Sequence, residues 1–412
     1  MVLIILLATV VQVIVAVSLN VRRRRRDAIE GNDTSQAALA PAEVSSSPDR
    51  GAWEGFKAFR VERRVIENEA GDICSFYLKP EEPFSLPGFK PGQFLTFKFN
   101  LPATETTDAR TVTRCYSLSD QPCAERYRIT VKRVAAPAGQ ADLAPGLASN
   151  YLHDRVHEGD QLMVKAPSGP FHLIEEPALP LVLIAGGIGI TPMVSIINSL
   201  LEQKSEREIW LFYGVRNGLE VIMHKTLLAM AQNHAGFHLH LCYSRPTAED
   251  QAGIDYQHTG HVDLPLLQSV LKLGRYHYYV CGPTAMMDSI VPGLEALGVP
   301  KSDIHYEAFG PATLTKPKAV EKDSKPQTSW QIEFSRSGKS ALWTGTEESL
   351  LGFVEAQGID VDSGCRAGSC GGCQTRIESG EVDYAQEPVV DVEEGHCLLC
   401  ISRPKSDLNL AL

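Results

Sequence analysis

Four cysteines between positions 365 and 400 have a spacing that suits an iron–sulfur cluster. Cys365 is followed by Cys370 after four intervening residues, by Cys373 after two more, and by Cys400 after another twenty-six. Thiolates in a C-x4-C-x2-C…C order are the ligands of one type of 2Fe-2S cluster. Glycines and small residues between the first three let the backbone close around a cluster and aim amide hydrogens at its sulfurs. The spacing therefore predicts an electron-carrying centre.

Other uses of these cysteines fit the sequence less well. Ten cysteines spread over 412 residues are too scattered for a disulfide framework. A zinc site usually has two separate C-x2-4-C pairs, whereas here the two spacings share Cys370. The identity of the fourth ligand stays open on the residues alone, because Cys397 and Cys400 lie in the same segment.

Length and charge limit the class of protein. A chain of 412 residues has room for two or three domains with full cores. Its formal net charge of −11 argues against nucleic acid as the main partner. Reduced thiols and a cluster favour a reducing location that faces the cytosol.

The first residues predict a membrane anchor. Residues 2–21 carry no charge and are almost wholly apolar, and a helix of about twenty residues spans the hydrocarbon core of a bilayer, roughly 30 Å. Five arginines follow at positions 22–26, so the positive-inside rule places the rest of the chain in the cytoplasm. A cleaved signal peptide would carry its charges before the apolar run. We therefore expect a single-pass protein of the inner membrane.

The middle of the chain begins with a pattern typical of antiparallel β-structure. Short alternating stretches at 93–99, 127–134 and 161–165 are separated by Gly/Pro turns, which predicts a β-barrel. Alternation along one strand places Arg114 and Tyr116 on one face and Ser117 on the other. These side chains offer a cation for phosphate, a ring for stacking and a hydroxyl donor. Gly146 then opens a predicted helix, whose N-terminus suits a pyrophosphate.

From position 181 the pattern changes to buried strands that alternate with helices. The run 181–185 is wholly apolar, as in parallel sheets, and Gly186, Gly187 and Gly189 follow it. Thr191 is a favourable helix cap, so the sequence predicts a helix N-terminus that binds a diphosphate. Further strands are predicted at 209–213, 238–243 and 278–281. Together they indicate a doubly wound α/β domain with its ligand at the C-terminal strand ends.

Several stretches together resemble the ferredoxin-NADP reductase superfamily, and in particular the reductase half of flavohaemoglobins. The matching stretches, in the order of that family, are 53–56, 91–94, 114–117, 149–154, 186–192, 281–283 and 306–311. Residues 398–404 resemble the last-ligand strand of plant-type ferredoxins. This second resemblance favours Cys400 as the fourth ligand and leaves Cys397 as a small buried residue.

The resemblance implies a fold of the class α/β plus β, with an antiparallel barrel, a doubly wound domain and a β-grasp domain. The expected order is a transmembrane anchor (1–21), a basic and flexible tether (22–51), an FAD-binding β-barrel (52–175), an NAD(P)-binding α/β domain (176–312), a linker (313–327) and a 2Fe-2S ferredoxin-like domain (328–412).

The resemblance also implies roles for individual residues. Ser117, Cys281 and Glu307 are the predicted catalytic residues beside the reacting rings, and Phe309 would cover the flavin until the nicotinamide displaces it. The predicted cofactor-binding residues are Phe94, Arg114, Tyr116, Ser117, Gly146, Ser149, Gly186, Gly187, Gly189, Thr191 and Phe309, and the predicted metal ligands are Cys365, Cys370, Cys373 and Cys400. On the residues alone, a core role for Cys281 and a packing role for Phe309 stay open.

Two departures from that family and one ambiguity bear on function. Phe94 stands where flavohaemoglobins usually carry a tyrosine, so one hydrogen bond to the flavin is expected to be missing. An apolar run rather than a globin stands before the reductase-like stretches, so haem chemistry is not expected. Ser244-Arg245 resembles the pair that holds the extra phosphate in NADP-using relatives. Arg216-Asn217 resembles NADH-using relatives, and we favour NADH slightly.

These features predict a membrane-anchored NAD(P)H:acceptor oxidoreductase. Hydride electrons would pass through FAD to the 2Fe-2S cluster and on to a one-electron acceptor protein such as an oxygenase, a desaturase or a haem protein. One alternative is delivery to quinone, as in the sodium-pumping NADH:quinone reductase, although there the ferredoxin domain precedes the reductase. The other alternative is a redox sensor with little turnover, which the intact hydride-site residues disfavour.

Overall fold

The structure is a computed structural model. The described residues are 53, 55–103, 109–135, 146–175, 179–307, 309, 329–347, 349–359, 361, 363–366, 368, 370–388, 390 and 392–412. The predicted anchor, tether and linker lie outside these residues. Within the described ranges, no helix has the length and apolar character that crossing a membrane requires.

The first domain is a six-stranded antiparallel barrel with one helix. Its strands and helix are β1 (Lys57–Ile66), β2 (Ile73–Pro80), β3 (Phe94–Leu101), β4 (Arg110–Ser117), β5 (Tyr127–Lys132), α1 (Leu147–Arg155) and β6 (Gln161–Val164). The strands lie in the order β4-β3-β6-β1-β2-β5, and a bridge between Leu118 and Ile129 brings the two outer strands together. Alternating residues such as Phe59 and Val61 are fully buried, so burial of one face drives closure of the barrel. The strands predicted at 93–99, 127–134 and 161–165 are confirmed.

The second domain is a six-stranded parallel sheet between helices. Its elements are β7 (Leu181–Gly186), α2 (Ile190–Glu202), β8 (Ile209–Val215), α3 (His224–Asn233), β9 (Phe237–Tyr243), β10 (His258–Thr259), α4 (Leu264–Val270), β11 (His277–Cys281), α5 (Thr284–Ala296) and β12 (Ile304–Glu307). The order is β10-β9-β8-β7-β11-β12, and every residue of β7 is buried. The chain order reverses beside β7, because β8 and β11 flank it, so a crevice opens at its C-terminal end.

The helix after β7 begins earlier than the sequence predicts. Gly187 to Gly189 form a 3-10 turn that runs directly into α2, so Gly189 precedes the helix and Thr191 lies inside its first turn. The prediction of Thr191 as the cap is therefore wrong. Its hydroxyl instead donates a hydrogen bond to the Ile188 carbonyl at 3.0 Å.

The third domain is a mixed sheet around one helix. Its elements are β13 (Trp330–Phe334), β14 (Lys339–Trp343), α6 (Leu350–Ala356), β15 (Gln374–Ser379), β16 (Val382–Tyr384), β17 (His396–Leu398), β18 (Ser402–Pro404) and β19 (Leu408–Leu410). Five strands lie in the order β14-β13-β19-β15-β17, with β13 and β19 parallel at the centre, and β16 pairs with β18. The apolar side of α6, including Leu350 and Phe353, is buried in the core of this domain. The arrangement agrees with the predicted ferredoxin-like domain.

Candidate active site

A cavity of about 340 Å³ opens along β4, the start of α1 and the first turn of α2. It thus lies where the barrel meets the α/β domain, which is the crevice expected for a ligand. Seven of the predicted cofactor-binding residues line it, namely Arg114, Tyr116, Ser117, Gly146, Ser149, Thr191 and Phe309. The cavity is lined mainly by apolar surface with a few polar side chains, which suits a large planar cofactor with a charged tail.

Strand β4 supplies the polar end and the aromatic wall of the cavity. The Tyr116 ring stands edge-on to Phe97, with ring centroids 5.7 Å apart, and burial raises the pKa of its phenol. The phenol therefore stays neutral at physiological pH. Arg114 Nη1 donates to the Thr113 carbonyl at 2.7 Å, which holds the guanidinium close to the strand. Arg114 also lines a second cavity of about 160 Å³ on the other side.

The entry into α1 requires a glycine. A Cβ atom built on Gly146 would lie 2.7 Å from Ser149 Oγ and 2.7 Å from Val134 Cβ, so a side chain there would displace the cavity wall. Ser149 Oγ donates to the Gly146 carbonyl at 3.2 Å, and Ser149 is buried. The first turn of this nine-residue helix, whose backbone amide hydrogens lack intrahelical partners, therefore lines the cavity.

The three predicted catalytic residues come together where β4, β11 and β12 end. Ser117 Oγ donates a hydrogen bond to Glu307 Oε2 at 3.3 Å. Both side chains are buried, with exposed fractions of 4% and 7%, and burial raises the pKa of Glu307 to about 8. Cys281 is aligned with Glu307 on the neighbouring strand and is fully buried, which raises the pKa of its thiol. Burial therefore favours the uncharged forms of both Glu307 and Cys281.

The three glycines at the end of β7 and just after it have different structural roles. A Cβ on Gly189 would lie 2.2 Å from the Cys281 carbonyl oxygen, and one on Gly186 would lie 2.6 Å from Pro283 Cδ. These two glycines therefore let the ends of β7 and β11 pack closely together. Gly187 has a φ of +53° and open space around its Cα, so its backbone is the one that a ligand can approach.

Phe94 lies apart from the residues described as lining the cavity. Phe94 lies on β3 opposite Ser117 of β4, and its exposed fraction is 2%. A Cβ on Gly169, which has a φ of +119°, would lie 2.7 Å from the Phe94 ring. The ring therefore packs against the backbone at Gly169, and its predicted role in cofactor binding stays a prediction.

The four cysteines of the spacing motif form two pairs of thiols. The backbone N–H of Cys365 donates to Cys370 Sγ at 3.3 Å, and that of Cys400 donates to Cys373 Sγ at 3.5 Å. The N–H of Gly372 also points to Cys370 Sγ at 3.4 Å. A hydrogen bond from the Cys400 thiol lowers the pKa of Cys373. Amide hydrogens aimed at sulfur are what a thiolate ligand requires.

The structure brings the four thiols together as two pairs. Among the described residues, it shows no group of three or more His, Cys, Asp or Glu side chains placed to hold a metal ion. Two pairs of thiols match in number the two irons of a 2Fe-2S cluster. Cys397 belongs to β17 and is fully buried in the core. Burial raises the pKa of its thiol to about 12, which agrees with its predicted apolar role.

One residue of the site escaped the sequence analysis. Cys115, between Arg114 and Tyr116, lies beside the cysteine loop, because a Cβ on Gly364 would be 2.5 Å from Cys115 Sγ and 3.2 Å from Cys370 Sγ. Alternation along β4 places Cys115 on the same face as Ser117, so the signal was present in the pattern. What that face would meet depended on the packing of the third domain.

Comparison with protein families accounts for all three domains. Residues 61–173 match the oxidoreductase FAD-binding domain, residues 183–291 match the oxidoreductase NAD-binding domain, and residues 337–405 match the 2Fe-2S iron-sulfur cluster binding domain. The cofactors of the chain are therefore FAD, a nicotinamide dinucleotide (NADH or NADPH) and a 2Fe-2S cluster.

Individual relatives give the same result. The chain is 42% identical over 270 residues to a flavohemoprotein of Halalkalibacterium halodurans, a match that covers 66% of this chain but only 63% of that relative. The flavohem-like FAD/NAD-binding domain of nitric oxide dioxygenase from Vibrio cholerae is 32% identical, with a TM-score of 0.53, and the match covers 62% of this chain and 99% of that domain.

A third relative spans all three domains. Phthalate dioxygenase reductase, described as a modular structure for electron transfer from pyridine nucleotides to [2Fe-2S], is 28% identical with a TM-score of 0.54. The match covers 87% of this chain and 98% of that structure. The chain therefore belongs to the ferredoxin-NADP reductase superfamily, as an NAD(P)H oxidoreductase in which FAD- and NAD-binding domains are followed by a 2Fe-2S domain.

Proposed function

We propose that the chain is a membrane-anchored reductase that passes electrons from NAD(P)H to a one-electron acceptor protein. The observation that supports this order most directly is the position of the cysteine loop. Gly364, next to Cys365, contacts Cys115 on the strand that also carries Tyr116 and Ser117. The cluster ligands and the flavin-binding strand therefore share an interface, as a short electron path requires.

The residues of the chain provide binding and electrostatics. FAD, when bound, would accept one hydride, and with it two electrons, from the nicotinamide, and the cluster would carry electrons singly. Arg114 and the N-terminus of α1 at Gly146 and Ser149 would hold the FAD phosphates, and Tyr116 would pack on its ring. Phe309, with an exposed fraction of 43%, would cover the other face until a nicotinamide enters.

The hydride site and the cluster site use different side chains. Ser117 would hydrogen-bond the flavin, while Glu307 and Cys281 would contact the nicotinamide and exclude water from it. Cys365 and Cys370 would hold one iron, and Cys373 and Cys400 the other. This division predicts that the two halves of the reaction can be separated by mutation.

The acceptor and the membrane belong to the same proposal. The apolar run 2–21 and the arginines at 22–26 support a single anchor with the catalytic domains on the cytoplasmic side of the inner membrane. The third domain, from 328 to 412, carries fourteen acidic and six basic residues, a surface that would attract a basic oxygenase, desaturase or haem protein.

The test compares two steps in the full-length protein. NADH should bleach the bound flavin under anaerobic conditions in both the wild type and Cys370→Ser, whereas reduction of cytochrome c should fall strongly in Cys370→Ser alone. Cys123→Ser, an exposed cysteine of the barrel domain, is the matched control and should keep both steps. Equal cytochrome c reduction by all three proteins would show that electrons do not leave through the cluster. Quinol formation with added membranes would favour the quinone alternative instead.

A further inference from the structure

We propose that Cys115 is a positioning residue whose thiol donates a hydrogen bond to the cluster ligand Cys370 and thereby raises the reduction potential of the cluster. The inference rests on the proposed function, in which Cys370 binds iron. It concerns a residue of the FAD-binding domain that acts on a centre held by a different domain.

The geometry that supports this inference is centred on Gly364. A Cβ built on Gly364 would lie 2.5 Å from Cys115 Sγ, 3.2 Å from Cys370 Sγ and 3.9 Å from Cys370 Cβ. Both sulfurs therefore pack against the same Cα atom, and any larger residue at 364 would force them apart. The absence of a side chain at this position lets the thiol of β4 reach the cysteine loop.

The Cys115 thiol is held in this position from its own domain. Thr96 on β3 is aligned with Cys115, and its hydroxyl oxygen lies 3.4 Å from Cys115 Sγ. The residues on either side of it, Arg114 and Tyr116, line the candidate flavin cavity, as Cys115 itself does. The cysteine loop is fixed from the other side, because Arg366, with a φ of +56°, donates to Glu355 of α6 at 2.9 Å.

The direction of the hydrogen bond follows from chemistry. When Cys370 binds iron it is a thiolate, which has no proton to give, so Cys115 must be the donor. Hydrogen bonds to the sulfurs of a cluster stabilise its reduced, more negative state and raise its potential.

Cys115 lies on the strand of the predicted flavin contacts Tyr116 and Ser117. A hydrogen bond from its thiol to Cys370 would therefore raise the cluster potential at the interface with the flavin-binding strand, which favours transfer of an electron from the flavin to the cluster.

The experiment measures the midpoint potential of the cluster by redox titration followed with electron paramagnetic resonance. We expect Cys115→Ala to have a lower cluster potential than the wild type, and Cys115→Ser to stay close to the wild type because its hydroxyl still donates. Cys123→Ala is the matched control and should be indistinguishable from the wild type. A Cys115→Ala protein with a full cluster and a wild-type potential would overturn the inference.

A second measurement covers the case in which Cys115→Ala takes up no cluster. Electron–nuclear double resonance of the reduced wild type in H₂O and D₂O should show an exchangeable proton near the cluster that differs in coupling in Cys115→Ser. The same exchangeable protons in both proteins would contradict the assignment. A wild-type protein without any cluster signal would instead refute the proposed function, so the two failures are distinguishable.

Discussion

A hydrogen bond of 3.3 Å from Ser117 Oγ to Glu307 Oε2 joins the end of β4 to the end of β12. The two residues are 190 positions apart and belong to the barrel and to the α/β domain. Both are buried, and a buried polar group without a partner costs about 1–3 kcal/mol, so the contact holds the two domains in one arrangement. The hydride site of the proposed reaction is therefore also part of the domain interface.

Replacement of Ser117 by alanine should slow flavin reduction without loss of the flavin. In the proposed site the hydroxyl would contribute one hydrogen bond to the flavin, whereas Arg114, Tyr116 and the start of α1 would still bind the cofactor. Removal of one preorganised donor typically lowers a rate by about 10²–10³-fold. Anaerobic stopped-flow bleaching by NADH measures this step directly. Ser119→Ala, which removes a buried hydroxyl bonded to Thr130 at 2.8 Å, is the matched control and should bleach at nearly the wild-type rate.

The raised pKa of Glu307 predicts a pH dependence of stability. A carboxyl with a pKa of about 8 in the folded protein and about 4.5 in the unfolded chain binds its proton more tightly when folded. Its contribution is fully present below pH 4.5 and is lost as the pH rises toward 8, by an amount on the order of a few kcal/mol. Glu307→Gln cannot ionise and should escape this loss.

Thermal unfolding of the two proteins at several pH values measures the effect. The midpoints should be similar near pH 5, and Glu307→Gln should unfold at a higher temperature than the wild type at pH 9. Glu249→Gln, at an exposed position after β9, is the control and should track the wild type at every pH. A constant difference between Glu307→Gln and the wild type from pH 5 to pH 9 would mean that Glu307 does not titrate in this range.

The two candidates for the fourth cluster ligand should respond in opposite ways. Cys400→Ser should lose most of its iron and sulfide, because Cys400 pairs with Cys373 in the loop. Cys397→Ser should keep its cluster but lose about 1–3 kcal/mol of stability, since it buries a hydroxyl in an apolar core. Iron and sulfide content per chain, with the visible absorbance, decides between them. If Cys397→Ser alone lost its cluster, Cys397 would be the fourth ligand and Cys400 would not.

The parts of this architecture that could be predicted from sequence are those with a local pattern. The apolar run of β7 and the alternation of β1 fix which face of each strand is buried, because burial of one face dominates their energy. The cysteine spacing is also local, since one loop supplies three of the four thiols. The position of α2 relative to Thr191 was missed because a 3-10 turn of glycines can continue into a helix without a side-chain cap.

The parts that could not be predicted depend on contacts between domains. The raised pKa of Glu307 results from burial, which depends on how the end of β12 packs in the folded protein. The contact of Cys115 with Gly364 joins positions 249 residues apart, and no periodicity in either segment indicates it. A sequence pattern shows which face a residue occupies, but the partner of that face is set by tertiary packing.

Substitution of Gly189 by alanine should destabilise the α/β domain more than the same change at Gly187. A Cβ at 189 would meet the Cys281 carbonyl oxygen at 2.2 Å, and backbone atoms of a central sheet cannot move aside cheaply. We expect a loss at or above the upper end of the about 1–3 kcal/mol typical of overpacking. Gly187→Ala meets open space and pays only for its left-handed φ of +53°, about 1–2 kcal/mol. Denaturant midpoints of the two variants measure this difference, and equal midpoints would contradict it.

The choice between NADH and NADPH should depend on Arg245. Its side chain is exposed after β9, and no described residue forms an ion pair with it, whereas Arg216, just after the neighbouring strand β8, is paired with Glu220. Such a guanidinium can bind the extra phosphate of NADPH. A charge-assisted hydrogen bond contributes about 1.5–3 kcal/mol to binding, which corresponds to a roughly 10–100-fold change in affinity. Arg245→Ala should therefore lower kcat/KM for NADPH by that factor and leave kcat/KM for NADH within about twofold.

Lys272→Ala removes an exposed cation elsewhere in the same domain and should change neither value. An equal loss with both dinucleotides would place Arg245 against a group that NADH and NADPH share, and an unchanged NADPH value would place it outside the binding site.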